Sequence, residues 1–401
     1  MKLIYNEDER MLADIATEFL ESKSPVAAKR ALRDQNSDLC FDPHIWQEMA
    51  QLGWSGISFA ETFGGHGFSH KGLAAIFEAI GNNLTHSPML SSVVICGGIL
   101  QQLAKTNDLS EQHISWLEQI ISGDKRIALA LEEGVRHNPD HITTTAVKVD
   151  GGYRLSGDKV MVIDGYGADA LLIVARINDI TAPISLFLVP NDGRFSHKKM
   201  SVIDSGNYTS VKFEQTLIDD ESLLTSTLVS AKVNAAKAAL DVGLALGRLC
   251  LAAEMLGASS TLFNMTIDYL KTREQFDTKI GTFQALQHRA AKCFIELELT
   301  RSAVISGFVM ADKLHSLFPE QLDDSVALLQ VIDDISAAAS LAKWKAGQLS
   351  DMISGEAVQM HGGIGVTDEL DVGLYLKRIR VAQMSLGDSD FHLTQYADLT
   401  A

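Results

Sequence analysis

The sequence predicts an α+β protein of three parts: an N-terminal helical domain over residues 1–122, a β-barrel-like middle domain over 123–227, and a C-terminal four-helix bundle over 228–401. Three observations carry this. Apolar residues recur at helical spacing in both flanking regions. Between them lie roughly a hundred residues of short runs rich in Val, Ile, Thr and Tyr, broken by Gly and Pro. No proline stands between Pro190 and Pro319, so long unbroken helices can form there.

The elements follow in order. "NEDERMLADIATEFLES" sets Met11, Leu12, Ile15, Phe19 and Leu20 on one stripe. "PHIWQEMAQLGW" is a second helix, opened by Asp42-Pro43 and closed by Gly53. After the glycine-rich turn "ETFGGHGFSH", the stretches "KGLAAIFEAIGNNL", "SSVVICGGILQQLA" and "SEQHISWLEQIISG" stay helical. Near Gly123 the texture changes to "RIALAL", "ALLIVARI", "ISLFLVP" and "YTSVKFEQTLI", with a hairpin signal at "VDGGY". From about Leu228 it turns helical again, with small residues at close spacing as tightly packed helices use.

Bulk properties exclude several classes. A net charge of −17 opposes binding to nucleic-acid phosphates and to anionic membranes. Cys40, Cys96, Cys250 and Cys293 are scattered, so neither a zinc site nor a disulfide scaffold is indicated. His66, His70, His288, His361 and His392 lack ligand-spaced Cys or carboxylate partners and read as packing or surface residues; His361, beside Gly362, is the exception. No apolar run approaches the ~20 residues of a membrane span, and the acidic start is no signal peptide. The expected location is the cytoplasm.

Three stretches carry specific signals: "LGWSGISFAETFGGHGFS", "DYLKTREQFDTKIGTFQALQHR" and "EAVQMHGGIGVTDEL". In this order, on an α-β-α chain, they resemble the acyl-CoA dehydrogenase superfamily over essentially the whole length. "AVQMHGGIGVTDEL…YLKRI" and "LGDSDFHL" are most similar to a subgroup holding the small subunit of pimeloyl-CoA dehydrogenase and subunits acting on steroid-derived CoA thioesters. The resemblance implies FAD and α,β-desaturation of an acyl-CoA thioester: a carboxylate takes the α-proton while the flavin accepts hydride. It implies that a neighbouring subunit holds the adenine and pyrophosphate end of FAD. Arg273 then supplies the cation, with Gln275 and Phe276 in the "RxxF" pattern and Gln284 on the adenine side. Gln359, Gly362 and Gly363 match the "QxxGG" turn, where absent Cβ atoms let backbone N–H groups approach the cofactor. An electron-transfer flavoprotein is the expected acceptor, and a tetramer the expected assembly.

The sequence departs from that family at sites bearing on mechanism. Leu386, in "SLGD", stands where many members carry the catalytic Glu. Gly247, in "ALGRLCLA", occupies the alternative position used by the isovaleryl type. Around the flavin ring, Leu131, Met161 and Ile163 replace a Thr, a Trp and a Thr, and Ala60 replaces a Pro. Three readings follow. The chain is the subunit of a heteromeric dehydrogenase that serves FAD in trans. Or it is a self-sufficient homotetramer with a displaced base, for which Asp388, Asp390, Asp241 and Glu254 are candidates. Or it is a non-catalytic binding or scaffold module of the same fold. Asp388 and Asp390 equally suit an N-cap, and Glu254 equally suits a buried ion pair. The acyl group is not legible beyond the subgroup's bulky or dicarboxylic thioesters.

Overall fold

Asn6 starts the first helix. Its side chain accepts from the Glu9 N–H while the Glu9 carboxylate accepts from the Asn6 N–H, a reciprocal cap. The computed structural model describes residues 5–105, 109–225, 228–230, 233–316 and 325–401. In the N-terminal region α1 (Glu7–Lys23), α2 (Val26–Asp34) and α3 (Pro43–Gln51) precede the buried α4 (His70–Asn83). A π-helical stretch, Met89–Gly97, runs into α5 (Gly98–Ala104), where the spacing predicts ordinary helix; α6 (Glu111–Ile121) closes the region. The stretch aims Ser91 and Ser92 at the sheet: Ser92 Oγ accepts from the Ile127 N–H, and Ser91 Oγ donates to Asp164. Ala60 has a role no proline could fill, since its N–H donates to the buried Gln101 side chain at 2.8 Å.

The middle region is one mixed sheet of β1 (Ile127–Ala130), β2 (Thr145–Val149), β3 (Gly152–Ile163), β4 (Ala170–Ile177), β5 (Ile184–Pro190), β6 (Ser196–Met200), β7 (Tyr208–Asp219) and β8 (Leu223–Thr225). Its order is β6-β7-β3-β2-β4-β5-β8, with β1 parallel to β4. The unbroken run "ALLIVARI" is β4, buried on both faces. Ala170, Leu172 and Val174 join the core shared with the helices, while Leu171, Ile173 and Ala175 join a second core with Phe187 and Phe213. The β3–β7 register breaks between Lys159 and Val162, and Met161 adopts φ +51 there.

Residue 227, the expected end of this domain, lies outside the described residues. Short strands β9 (Leu228–Ser230) and β10 (Val233–Asn234) pair before the chain turns helical. Asn234 then caps the long α7 (Ala235–Thr272). A hairpin of β11 (Glu274–Gln275) and β12 (Thr278–Lys279) leads to α8 (Gln284–Ala311), α9 (Ser325–His361), α10 (Val372–Met384) and α11 (Ser389–Thr400). Gly81 on α4 and Gly257 on α7 let these helices cross backbone to backbone. A Cβ on Gly81 would strike the Glu254 carbonyl, and one on Gly257 the Glu78 carbonyl. Among the described residues no helix is long and apolar enough to cross a membrane, and no cluster of His, Cys, Asp or Glu could hold a metal ion.

Candidate active-site cleft and cofactor surface

A cleft of about 720 Å³ lies between the β3 bulge, the chain around residue 202, and the end of α10 with the turn after it. Met161, Ile163, Met200, Val202, Met384 and Leu386 give it hydrocarbon walls; Glu132, Arg136 and Asp388 are among its polar lining. Met161 and Ile163 thus stand on the wall where the family resemblance places an indole and a hydroxyl. Leu131 is buried and does not line the cleft; its carbonyl accepts from the Lys159 ammonium at 3.1 Å.

Leu386 and Gly247, 139 positions apart in the chain, meet under this cleft. A Cβ on Gly247 would lie 3.0 Å from Leu386 Cδ1 and 2.9 Å from Ile95 Cγ1. Leu386 is 8 % exposed and adopts φ +58, a left-handed conformation that costs a branched side chain energy. The two positions at which the resemblance places a base are therefore one place in space, and the hydrocarbon side chains of Leu386 and Ile95 fill it.

Two buried cations hold the turn that presents Leu386. Arg248 donates from Nε to the Leu386 carbonyl at 3.2 Å, from one terminal nitrogen to Gln395 at 3.1 Å, and from the other to His137 Nε2 at 3.0 Å. His137 Nε2 is then an acceptor, so Nδ1 carries the proton and donates to Glu132. Burial, the largest influence, lowers the pKa of His137 against the pull of Glu132. Burial also brings Arg248 down to about 10, yet it stays charged. Lys343 donates to the Gln383 and Gly387 carbonyls at 3.0 and 3.2 Å. Burial, then the charge of Arg248, pulls it down to about 7 against the pull of Asp388.

That shift has a sign that can be checked. The folded pKa of Lys343 lies below its ordinary 10.5, so between about 7 and 10.5 the unfolded chain binds more protons than the native one. Stability of the wild type is expected to rise across that window relative to Lys343→Met, measured by urea unfolding at stepped pH. Parallel pH profiles for the two proteins would remove the account.

The carboxylates proposed as displaced bases each have an occupation or face away. Glu254 binds Arg378 through both oxygens, at 2.5 and 2.9 Å, and Arg378 reaches Asp204 at 3.0 Å. Burial alone would lower the Arg378 pKa; the two carboxylates outweigh it and hold it well above the ordinary value. Asp241 pairs with Lys237 at 2.5 Å. Asp388 caps α11, accepting from the Phe391 N–H at 2.9 Å, though it also lines the cleft. Asp390 is exposed in the first turn of that helix.

A second surface forms where α7 and α9 end. Tyr269 and His361 stack at 4.5 Å between ring centroids, and the His361 Nδ1–H donates to the Ala357 carbonyl at 2.8 Å. The stack brings together the chain just before Arg273 and just before Gly362. Arg273, Gln275, Phe276, Gln284, Gln359, Gly362 and Gly363 are all exposed. The Arg273 side chain has no hydrogen bond or ion pair among the described residues. Gly362 adopts φ +65, and at both Gly362 and Gly363 the space a Cβ would take is open. Phe276 and Asp277 turn the β11–β12 hairpin with φ of +53 and +60, so Phe276 is pushed outward. This open backbone cradle beside an uncommitted guanidinium suits an extended phosphate-bearing cofactor such as FAD.

The sequence reading missed Arg248, His137, Lys343 and Arg378. A signal existed for Arg248: one arginine inside the apolar run "ALGRLCLA" must find buried acceptors.

A cleft between sheet and bundle, with a separate exposed cradle, is a scaffold for extended ligands held at two places. The acyl-CoA dehydrogenase N-terminal domain matches residues 6–124, and the acyl-CoA dehydrogenase C-terminal domain matches residues 236–399. The chain belongs to the acyl-CoA dehydrogenase family, FAD-dependent oxidoreductases of acyl-CoA thioesters. It is 28% identical to the acyl-CoA dehydrogenase FadE12 of Mycobacterium tuberculosis, covering 92% of this chain and 94% of that protein. A solved structure, the Tcur3481-Tcur3483 steroid ACAD G363A variant, is 27% identical with a TM-score of 0.79, covering 98% of this chain and 97% of the other. Butyryl-CoA dehydrogenase from Megasphaera elsdenii, 20% identical, shares the fold with a TM-score of 0.82 over 99% of both chains.

Proposed function

We propose that the chain is the subunit of a heteromeric acyl-CoA dehydrogenase that lacks the catalytic base. It holds the adenine and pyrophosphate end of an FAD seated mainly in a related partner chain. The observation that carries this reading is the contact of Gly247, Leu386 and Ile95 under the cleft. Neither position offers an atom that takes a proton, and Arg248 beside them would pair with a carboxylate placed there. The displaced-base homotetramer loses support, because Glu254, Asp241 and Asp388 are engaged and Asp390 faces solvent.

When bound, FAD supplies the hydride acceptor of the desaturation. The tasks of this chain are binding and orientation. Arg273 offers a planar fork to the pyrophosphate, and Gly362 and Gly363 allow close backbone approach. Gln284 and Gln359 provide amide groups for the adenine end, and Phe276 an apolar face. The solved structure described as a steroid ACAD points to a bulky CoA thioester. An electron-transfer flavoprotein is the acceptor the family resemblance supplies.

The test is purification of this chain alone and with a related chain that carries both a Glu at a base position and a flavin-ring loop. The mixed complex is expected to hold about one FAD per two chains and to reduce dye with CoA thioesters. This chain alone is expected to turn over none. One FAD per chain with full turnover by the isolated protein would sink the proposal.

A further inference from the structure

We propose that the groove between α2 and α3 is a binding site for a short-chain carboxylate, held at Lys29 and independent of the cleft. The groove has a volume of about 210 Å³. At roughly 30 Å³ per water-sized group it accommodates about seven heavy atoms. Ala28, Leu32, Ile45 and Leu84 give it apolar sides; Lys29, His86 and Asp42 stand among its polar lining, the Asp42 carboxylate accepting from the His44 N–H at 2.8 Å.

The head group follows from unspent donors. Lys29 is 5 % exposed, yet among the described residues its ammonium has only the Ser205 carbonyl at 3.3 Å and His86 Nδ1 at 3.5 Å. Other buried cations are better served. Arg378 and Lys159 have carboxylates; Arg248 and Lys343 have acceptors at 3.0–3.2 Å. The carboxylates behind Lys29, Asp204 and Glu254, are bonded to Arg378. Burial, the main cause, lowers Lys29 to about 8.

His86 adds a second donor. Nδ1 faces the ammonium and so accepts, which puts the ring proton on Nε2. That nitrogen is buried with no partner among the described residues. Thr85 and His86 line both the groove and a chamber of about 30 Å³ behind it, room for one water that relays the Nε2 proton. Two poorly satisfied donors, with apolar walls beside them, select an acceptor-only head on a short hydrocarbon tail. A carboxylate meets both demands; an amide brings donors of its own, and phosphate has no tail.

The probes are pentanoate, pentanamide and inorganic phosphate, titrated calorimetrically into the full chain. Pentanoate is expected to bind saturably and the other two not. Lys29→Met is expected to weaken pentanoate by about tenfold or more, as loss of a charge-assisted hydrogen bond does. Leu32→Trp, which fills the groove without removing the amine, is expected to abolish binding, and melting curves check that both variants fold. The proposal is overturned by the absence of saturable pentanoate binding, by equal binding of phosphate or pentanamide, or by affinity unchanged in either variant.

Discussion

Replacing Arg378 with methionine is expected to lower the unfolding free energy by about 3–5 kcal/mol, the usual cost of orphaning buried partners of an ion pair. Glu254 and Asp204 have side chains only 4 % and 1 % exposed, and Arg378 is bonded to both. Methionine keeps the volume but leaves two carboxylates in a low-dielectric site. Their folded pKa values would then rise above the unfolded ones. The native variant would bind extra protons, so its deficit should shrink as pH falls towards 5 and widen towards 8. Urea unfolding of wild type and variant at both pH values reads this directly. Adding Glu254→Leu should recover part of the loss. A pH-independent deficit, or one below about 1 kcal/mol, would show that the cluster is not held together by this charge.

The second large effect concerns cofactor and not stability. Arg273→Ala in the heteromeric complex is expected to weaken FAD binding by about ten- to a hundredfold. The same change should leave the unfolding of the isolated chain within about 0.5 kcal/mol of wild type, because the exposed guanidinium has no partner among the described residues. Arg273→Lys should restore only part of the affinity, since a point charge lacks the planar fork. Flavin fluorescence released on dilution measures the first effect and thermal melting the second. Unchanged FAD retention would remove Arg273 from the cofactor surface.

Local chemistry made much of the fold legible. Asp42 caps α3 by accepting from the His44 N–H, and Gly53 closes it at φ +81, as "DPHIWQEMAQLG" demands. Gly151, in "VDGGY", turns β2 into β3 at φ +74. The apolar run of β4 announced a strand, and the structure buries it on both faces. Legibility ended where function depends on partners remote in sequence. Arg248 meets residues 138 and 111 positions away, and Glu254 meets Arg378 across 124. No periodicity or capping rule encodes such pairings. Leu386 and Gly247 stand out in the sequence as departures from the family pattern, but their contact is a property of the folded chain alone. For the same reason Glu254 stood as a candidate base until the structure gave it a guanidinium.

The contact between Leu386 and Gly247 also bears on how a lineage with this arrangement could change. A glutamate at 247 needs the room that Leu386 and Ile95 occupy, so that step alone brings a clash. A glutamate at 386 inherits a left-handed backbone and a buried arginine that would draw its charge away from any substrate. At 247 the obstacle is crowding by two side chains, and at 386 it is the pull of Arg248 on the new charge. The packed leucine therefore works as a latch: a carboxylate brought to either position meets Leu386, Ile95 or Arg248 before it meets a ligand in the cleft.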